Sequence, residues 1–410
     1  MRIICRAVFL GTIAALLSTI SLAWDDVGHK TTAYIAWQRM TPDAREAVIK
    51  ILRAAPEDSH LSAYYMQYGP EPEQTRKLEY FMLVSTWADI VRDRVFENRY
   101  KKYHKSNWHY DDTFWKQVAG SVELLTGFEE GGVAVSKLTE FDKVIRNSSA
   151  TEKEKAIAIA WIMHLTGDLH QPLHTSARVT DVEPKGDQGG NLFLLTPQGT
   201  PRENQVNLHW FWDSIVARNI PLKGELCERD YIVSIAQRIM KKHSFASFGA
   251  TMNLGGYEDW QKESFKFAPT DVFSADLVRF QMPSEKYKRN AFRVAERQLA
   301  LAGYRLGETL NKVFAAPVVV AANSGCPIIR KIMYPVYKKQ TPDNISNAKP
   351  TISLLDICPA GPAARPTIAV EVNGKQTYRA FDVIATFDDE AAARKYALAN
   401  SIADVKFEIQ

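Results

Sequence analysis

Trp161-Ile162-Met163-His164-Leu165-Thr166-Gly167-Asp168-Leu169-His170-Gln171-Pro172-Leu173-His174-Thr175 is the stretch on which the reading of this chain turns. The run before it, Ala156 to Met163, is apolar on every side, and Thr151-Glu152-Lys153-Glu154 opens it with a capping-box pattern. A helix that is apolar all round belongs in a core. On it His164 and Asp168 stand one turn apart on the same face. Pro172 removes a donor and clashes with the carbonyl four residues back, so the helix is expected to end near Gln171. His174 then lies on the exit loop. An imidazole and a carboxylate in such a helix are costly unless something charged satisfies them, and a bound metal cation would do so. The other reading is a buried His-Asp hydrogen bond with two unrelated histidines nearby.

Outward from that helix the apolar residues keep helical spacing. Lys30 to Ala54 reads as a helical hairpin broken at Thr41-Pro42-Asp43, and further helices are predicted over 73–91, 132–145, 207–218, 229–242, 257–267 and 285–313. One strand-like run, Asn191 to Leu195, follows a Gly/Asp/Pro loop at 181–190. The expected body is mainly α. After Ala315 the character changes: 367–372 and 375–387 are β-rich and separated by Asn373-Gly374, a hairpin signal, before a helical run at 388–400 and a strand at 404–409. The expected organisation is a signal segment 1–23, a helical domain 24–315 and a small α+β extension 316–410.

Of the 410 residues, 46% are hydrophobic and 24% charged, which is ordinary for a soluble globular protein. Arg2 and Arg6, an apolar run from Ala7 to Leu17 and the ending Ser21-Leu22-Ala23 form the pattern of a cleaved secretory signal, so the mature chain is expected to begin at Trp24 and to be secreted or periplasmic. The apolar run is too short and too interrupted for a good membrane span. Of 51 basic residues two leave with the signal, and 49 against 47 acidic ones is too little to argue a polyanion partner from bulk charge. Any nucleic-acid binding must come from the site. Cys5 leaves with the signal, Cys326 and Cys358 are the expected disulfide, and Cys227 is expected to be buried outside it. A monomer is expected.

More residues of ligand type lie elsewhere. They are His29 five residues after Trp24, Asp89 in Trp87-Ala88-Asp89, His109 in Trp108-His109-Tyr110-Asp111-Asp112, and a second His-x-x-x-Asp pair, His209 and Asp213, among aromatics. A lone histidine beside aromatics is more often a core residue with a partner than a ligand. Two such pairs on apolar helices are harder to explain that way.

With Gly28-His29, Trp87-Ala88-Asp89-x-x-Arg92, His109-Tyr110-x-Asp112, His164-x-x-x-Asp168-x-His170-Gln-Pro-Leu-His174, Gly189-Gly190-Asn191 and Asn207-Leu208-His209-x-x-x-Asp213 in order, the chain from Trp24 to about Ala315 resembles the secreted trinuclear-zinc, single-strand-specific nucleases, the type I nuclease and 3′-nucleotidase family. The resemblance implies a phospholipase C/nuclease-type helical fold and three zinc ions. Asp89, His109 and His164 would hold one. His174, His209 and Asp213 would hold a second. His29 with the amine and carbonyl of Trp24 would hold a third, and Asp168 would bridge the first and third. It implies hydrolysis of single-stranded DNA and RNA to 5′-phosphate products, and of 3′-nucleotides, by metal-activated water, with Asp89 and Asp168 at the catalytic metals. Arg92 would stabilise charge on phosphorus, and Tyr110, Asp112 and Asn191 would form a base pocket. Asp25-Asp26 departs from a small residue in many relatives, and the pair is expected to point to solvent. His170 is expected to be structural, and His60, His104 and His243 to be surface or packing residues.

Two rivals remain. A zinc-dependent phospholipase C shares the fold type and a similar metal set, but the short step from Trp24 to His29, and Asp213 where those lipases tend to have Glu, fit it less well. A secreted helical binding protein with a degenerate metal site would keep its function when zinc is removed.

Overall fold

The computed structural model describes residues 24–315, apart from 129–130, 223 and 225, and the backbone of six strands between 334 and 407. Two compact units divide the chain, residues 1–316 and 317–410. The signal-like segment, the Cys326–Cys358 pairing and the helix expected at 388–400 lie outside the described residues.

In the first unit helices dominate: α1 (Asp26–Arg39), α2 (Pro42–Arg53), α3 (Glu73–Val84), α4 (Trp87–Ile90), α5 (Glu97–Tyr103), α6 (Ala134–Arg146), α7 (Glu152–Asp168), α8 (Leu208–Asp213), α9 (Ile215–Asn219), α10 (Glu228–Lys242), α11 (Tyr257–Phe265) and α12 (Glu285–Phe314). The helix α7 is the central rod. Thr151 accepts from the Glu154 amide at 3.2 Å and Glu154 reaches back to the Thr151 amide at 2.8 Å, so both halves of the capping box form. Ala156 and every residue from Ala158 to Asp168 are buried, as the all-round apolar pattern requires. The helix stops at Asp168, three residues before the expected end. The amides of His170 and Gln171 bond only three residues back, to Gly167 and Asp168, and tighten the chain into the turn Pro172–His174.

Helix α7 packs on α6, α2 and α12, while α12 also carries α1 along its length. At that crossing a Cβ on Gly303 would lie 2.6 Å from Ile35 Cβ and 2.9 Å from the Thr32 carbonyl, so only a glycine admits α1 this closely. Buried tryptophans back the rod; Trp161 meets Trp87 and His109 edge-on at 6.1 and 5.4 Å.

A small sheet was not foreseen. Its order is β2 (Ser121–Leu124), β1 (Thr113–Val118), β3 (Ser176–Arg178), with β1–β2 antiparallel and β1–β3 parallel, Thr113 opposite Ser176. The strand expected at 191–195 is instead a turn with a single bridge, Leu194 to Asn207, because Gly189 and Gly190 hold positive φ and the chain folds back onto α8. Cys227, just before α10, is half-exposed and not buried as expected.

In the second unit β6 (Thr367–Val372) and β7 (Lys375–Ala380) pair antiparallel with Val372 opposite Lys375, the register of a two-residue hairpin. There β4 (Tyr334–Lys338) pairs antiparallel with β8 (Asp382–Phe387), and β5 (Thr351–Ile352) runs parallel to β9 (Lys406–Phe407). Among the described residues no helix is long and apolar enough to cross a membrane.

Candidate metal centre

Every histidine and aspartate expected as a ligand converges on one buried region. His29 comes from α1, Asp89 from α4, His109 from the turn before β1, His164 and Asp168 from α7, His174 from the turn before β3, and His209 and Asp213 from α8. Their ligating atoms form three groups, each within 4.8 Å: His29, Asp89 and His164; His109, His164 and Asp168; His174, His209 and Asp213.

The parallel pairing of β1 with β3 sets two of these turns side by side. Asp111 donates its amide to the His174 carbonyl at 2.9 Å, Thr113 donates to Thr175 at 2.9 Å, and His174 Nδ1 donates to the His109 carbonyl at 2.7 Å. A short strand pair thus fixes the distance between His109 and His174. Gln171 joins the exit loop to α8: its Nε2 donates to Asp213 Oδ1 at 2.7 Å and its Oε1 accepts from the Leu173 amide at 2.6 Å.

The N-terminal end is stitched between α7 and α8. Trp24 is fully buried, its indole N–H donates to the Gly167 carbonyl at 3.0 Å, and the Asp25 amide donates to the Asp213 carbonyl at 3.1 Å. Asp25 does not point to solvent: its Oδ1 accepts from the Gly28 amide at 3.0 Å and caps α1, and burial lifts its carboxyl to about 7. Asp26 is exposed and pairs with Lys30 at 3.4 Å. His29 stacks on His164 with centroids 3.9 Å apart and holds Nε2 3.3 Å from Asp168 Oδ1.

Around His164 the polar atoms crowd. Its Nδ1 donates to the Ser85 carbonyl at 2.8 Å, and its Nε2 lies 3.0 Å from His109 Nδ1, 3.4 Å from Asp168 Oδ2 and 3.7 Å from Asp89 Oδ1. Arg92 pairs with Asp89 Oδ1 at 2.8 Å. Burial dominates the titration of these groups. It pushes His164 down to about 3, His174 and His209 to about 4, and His29 and His109 well below the imidazole range; it lifts Asp89 to about 6, Asp213 to about 7 and Asp168 well above the carboxylate range.

The His174–His209 pair tests directly whether a cation fits. His174 Nδ1–H is given to the His109 carbonyl and His209 Nδ1–H to the Gly189 carbonyl at 2.6 Å, so each neutral ring presents a bare lone pair at Nε2. Those two Nε2 atoms face each other at 3.0 Å, with Asp213 oxygens 3.8 and 3.4 Å away. Burial holds both rings neutral, so no proton lies between them, and two lone pairs at that distance repel. A cation held by His174, His209 and Asp213 removes the conflict. Asp168 Oδ1, Asp213 Oδ2 and both ring nitrogens of His29 also lack any hydrogen-bond partner while buried, which a hydrogen-bonded His-Asp pair does not explain. Imidazole and carboxylate donors with oriented second ring nitrogens suit zinc.

The residues expected around a base are less clearly disposed. Tyr110 is half-buried, with its carbonyl accepting from the Ala134 amide at the start of α6 at 3.1 Å. Asp112 lies at the entry to β1; burial, then the neighbouring Asp187, raises its carboxyl well above the usual range. Asn191 donates to the Gln188 carbonyl at 2.8 Å and accepts from Asn207 at 3.2 Å, and Asn207 caps α8 by accepting from the Trp210 amide at 2.7 Å. Asn191 therefore braces the helix that carries His209.

Sequence reasoning missed the groups that orient the ligands. Ser85 and Gly189 act through backbone carbonyls, which carry no signature; Gln171 stood inside the motif between two ligands and could have been singled out. His170 faces away from the cluster: its Nδ1 donates to the Thr166 carbonyl at 2.7 Å and its Nε2 accepts from buried Arg305 of α12 at 2.9 Å.

Residues 24–315 match the family described as S1/P1 Nuclease. The chain is similar to Endonuclease 5 of Arabidopsis thaliana, at 24% identity over 72% of this chain and 92% of the relative. It is also similar to Nuclease S1 of Aspergillus oryzae, at 22% identity over 73% and 95%, and to Nuclease P1 of Penicillium citrinum, at 20% over 72% and 99%.

Proposed function

The chain belongs to the S1/P1 nuclease family and is a hydrolase acting on nucleic acids, and from that membership and the ligand geometry we propose that it is a zinc-dependent, single-strand-specific endonuclease with 3′-nucleotidase activity. It works outside the cytoplasm, secreted or periplasmic, with residues 24–315 as the catalytic unit and Trp24 as the first residue of the mature chain. The observation that carries the metal reading is the pair of facing lone pairs on His174 and His209.

Three zinc ions would be held by these residues: one by Asp89, His109 and His164, one by His174, His209 and Asp213, and one by His29 with the amine and carbonyl of Trp24, with Asp168 as a further carboxylate ligand. Bound zinc supplies Lewis-acid charge that activates water and neutralises phosphate oxygens. The protein's part is placement. The α7 rod, held by its capping box and by Ser85, presents His164 and Asp168 in fixed orientation. Arg92, anchored on Asp89, stands ready for the extra charge on phosphorus during in-line displacement. The bond broken is between phosphorus and the 3′ oxygen, leaving a 5′-phosphate. Tyr110 offers a ring for stacking, and Asp112, whose carboxyl burial raises well above the usual range, is placed to meet a polar base edge; a base must leave its duplex partner to stack, which favours single strands.

The test is hydrolysis of single-stranded DNA, single-stranded RNA, a 3′-mononucleotide and phosphatidylcholine by protein beginning at Trp24, before and after chelation. Cleavage of the nucleic acids to 5′-phosphate ends, lost on chelation and restored by zinc, is expected. Turnover of the lipid alone would refute the substrate assignment.

A further inference from the structure

Beyond Arg92, which serves the scissile phosphate, the chain runs into a segment without a catalytic role. From Arg92 to Lys105 the chain carries the cations Arg92, Arg94, Arg99, Lys101, Lys102 and Lys105 against Asp93 and Glu97, an excess equal to the formal +4 of the whole chain. Charge that is balanced elsewhere is concentrated here.

The segment is fixed to the turn that carries Asp89. Arg99, buried, donates to the carbonyl of Ile90, the residue after Asp89, at 3.2 Å and lies over Phe96 at 4.3 Å. Tyr103 meets Trp87 edge-on at 5.4 Å and donates its hydroxyl to Asp58 at 2.7 Å. Helix α5 is thus set against the turn that presents Asp89. The outward side alternates cations with rings. Arg94 and Phe96 are exposed, Tyr100 and His104 stack with centroids 4.9 Å apart, and Arg94 sits 5.2 Å from the Tyr100 ring and donates to its hydroxyl at 3.3 Å. After burial, Arg92, Lys105 and Arg94 in turn hold the His104 imidazole below its usual range while Asp89 opposes them, so these three cations and a metal ligand lie within electrostatic reach of one ring. Lys101 and Lys102 pair with Glu97 and Asp58 in exposed contacts, which bind weakly and give way to a phosphate.

We propose that this ridge is the track for the polynucleotide strand, with Arg94 and Lys105 gripping phosphates that flank the scissile one and Phe96, Tyr100 and His104 offering faces for bases. Seven residues of α5 rise about 10 Å, roughly three nucleotide steps at a stacked spacing of about 3.4 Å. Cations interleaved with aromatic faces are how single strands are bound without sequence preference. The inference rests on the nuclease reading above. A 3′-mononucleotide, which ends at the metal centre, does not reach the ridge.

The experiment compares kcat/KM on a single-stranded oligodeoxynucleotide and on a 3′-mononucleotide over a range of NaCl concentrations. Each lost phosphate contact lowers the logarithmic salt slope by about 0.7, so Arg94→Gln with Lys105→Gln should flatten the strand's slope by about 1.4 and lower the strand-to-mononucleotide ratio roughly tenfold. The charge-keeping pair Arg94→Lys with Lys105→Arg should restore both quantities. Lys241→Gln with Arg289→Gln, exposed cations on α10 and α12, should behave as the parent protein. A neutralised ridge with the parent ratio and slope overturns the track. A parent protein inert on both substrates overturns the nuclease reading itself, and the track with it.

Discussion

Gly189 shows how little of a metal site its ligands account for. Its φ is +61°, a Cβ there would run into the Leu173 carbonyl and lie 3.1 Å from His209 Nδ1, and its own carbonyl is what holds that nitrogen. Gly189→Ala is therefore expected to twist the carbonyl away from His209 and to lower zinc affinity at the His174–His209–Asp213 group by about 10- to 100-fold, the usual cost of losing an orienting partner. Titration with a competing chelator measures it, and parent-like affinity would mean that the ring is oriented by something else. That these eight His and Asp residues belong together was legible in the sequence, because chemistry constrains the side chains a metal would need and helix geometry constrains their spacing. The carbonyls of Ser85 and Gly189 were not, since any residue has one. Asp25 was misjudged for a related reason: two adjacent acids look solvent-bound until the amide of Gly28 is found above one of them.

Among the elements, those with local causes were readable and those with distant causes were not. The capping box, the break at Thr41-Pro42 and the periodicity of α12 are written within a few residues. The β1–β3 pairing joins segments some sixty residues apart in sequence, and the Thr113–Val118 run gave no alternation to mark it. Helix α5, a single short element of seven residues, was likewise below what periodicity can resolve. The crossing of α1 over α12 depends on a glycine whose reason lies on the other helix. Gly303→Val would place methyls where Ile35 and the Thr32 carbonyl already are, and overpacking of this kind costs about 1–3 kcal/mol. The expected result is a thermal midpoint several degrees lower, with His29, carried on α1, displaced from His164 and activity reduced; Gly303→Ala should fall between. An unchanged midpoint for the valine variant would show that the crossing is looser than these distances state.

For the molecule as a whole, the centre makes stability depend on pH through two opposed sets of groups. Asp213 and Asp25 at about 7 and Asp89 at about 6 stand above the unfolded carboxylate value, so in metal-free protein their contribution is fully present below about pH 4 and is lost as pH rises through 6 to 7. His164 at about 3, with His174 and His209 at about 4, stands below the unfolded imidazole value, so their contribution is present above about pH 6.5 and is lost as pH falls towards 4. No pH satisfies both sets without a cation. Zinc requires the ionised carboxylates and neutral imidazoles that predominate above pH 7, where the protein alone has lost the carboxyl contribution. Below that, protons compete first for the carboxylates of Asp168, Asp213 and Asp89, all of which burial raises above the usual range. The gap in thermal midpoint between zinc-loaded and chelated protein should therefore be widest near pH 7.5 and narrow steadily towards pH 5, with protons released on zinc binding across the same interval. Midpoints recorded in parallel at several pH values decide it; a gap that stayed constant would mean that the carboxylates and imidazoles are not the groups that hold the metal.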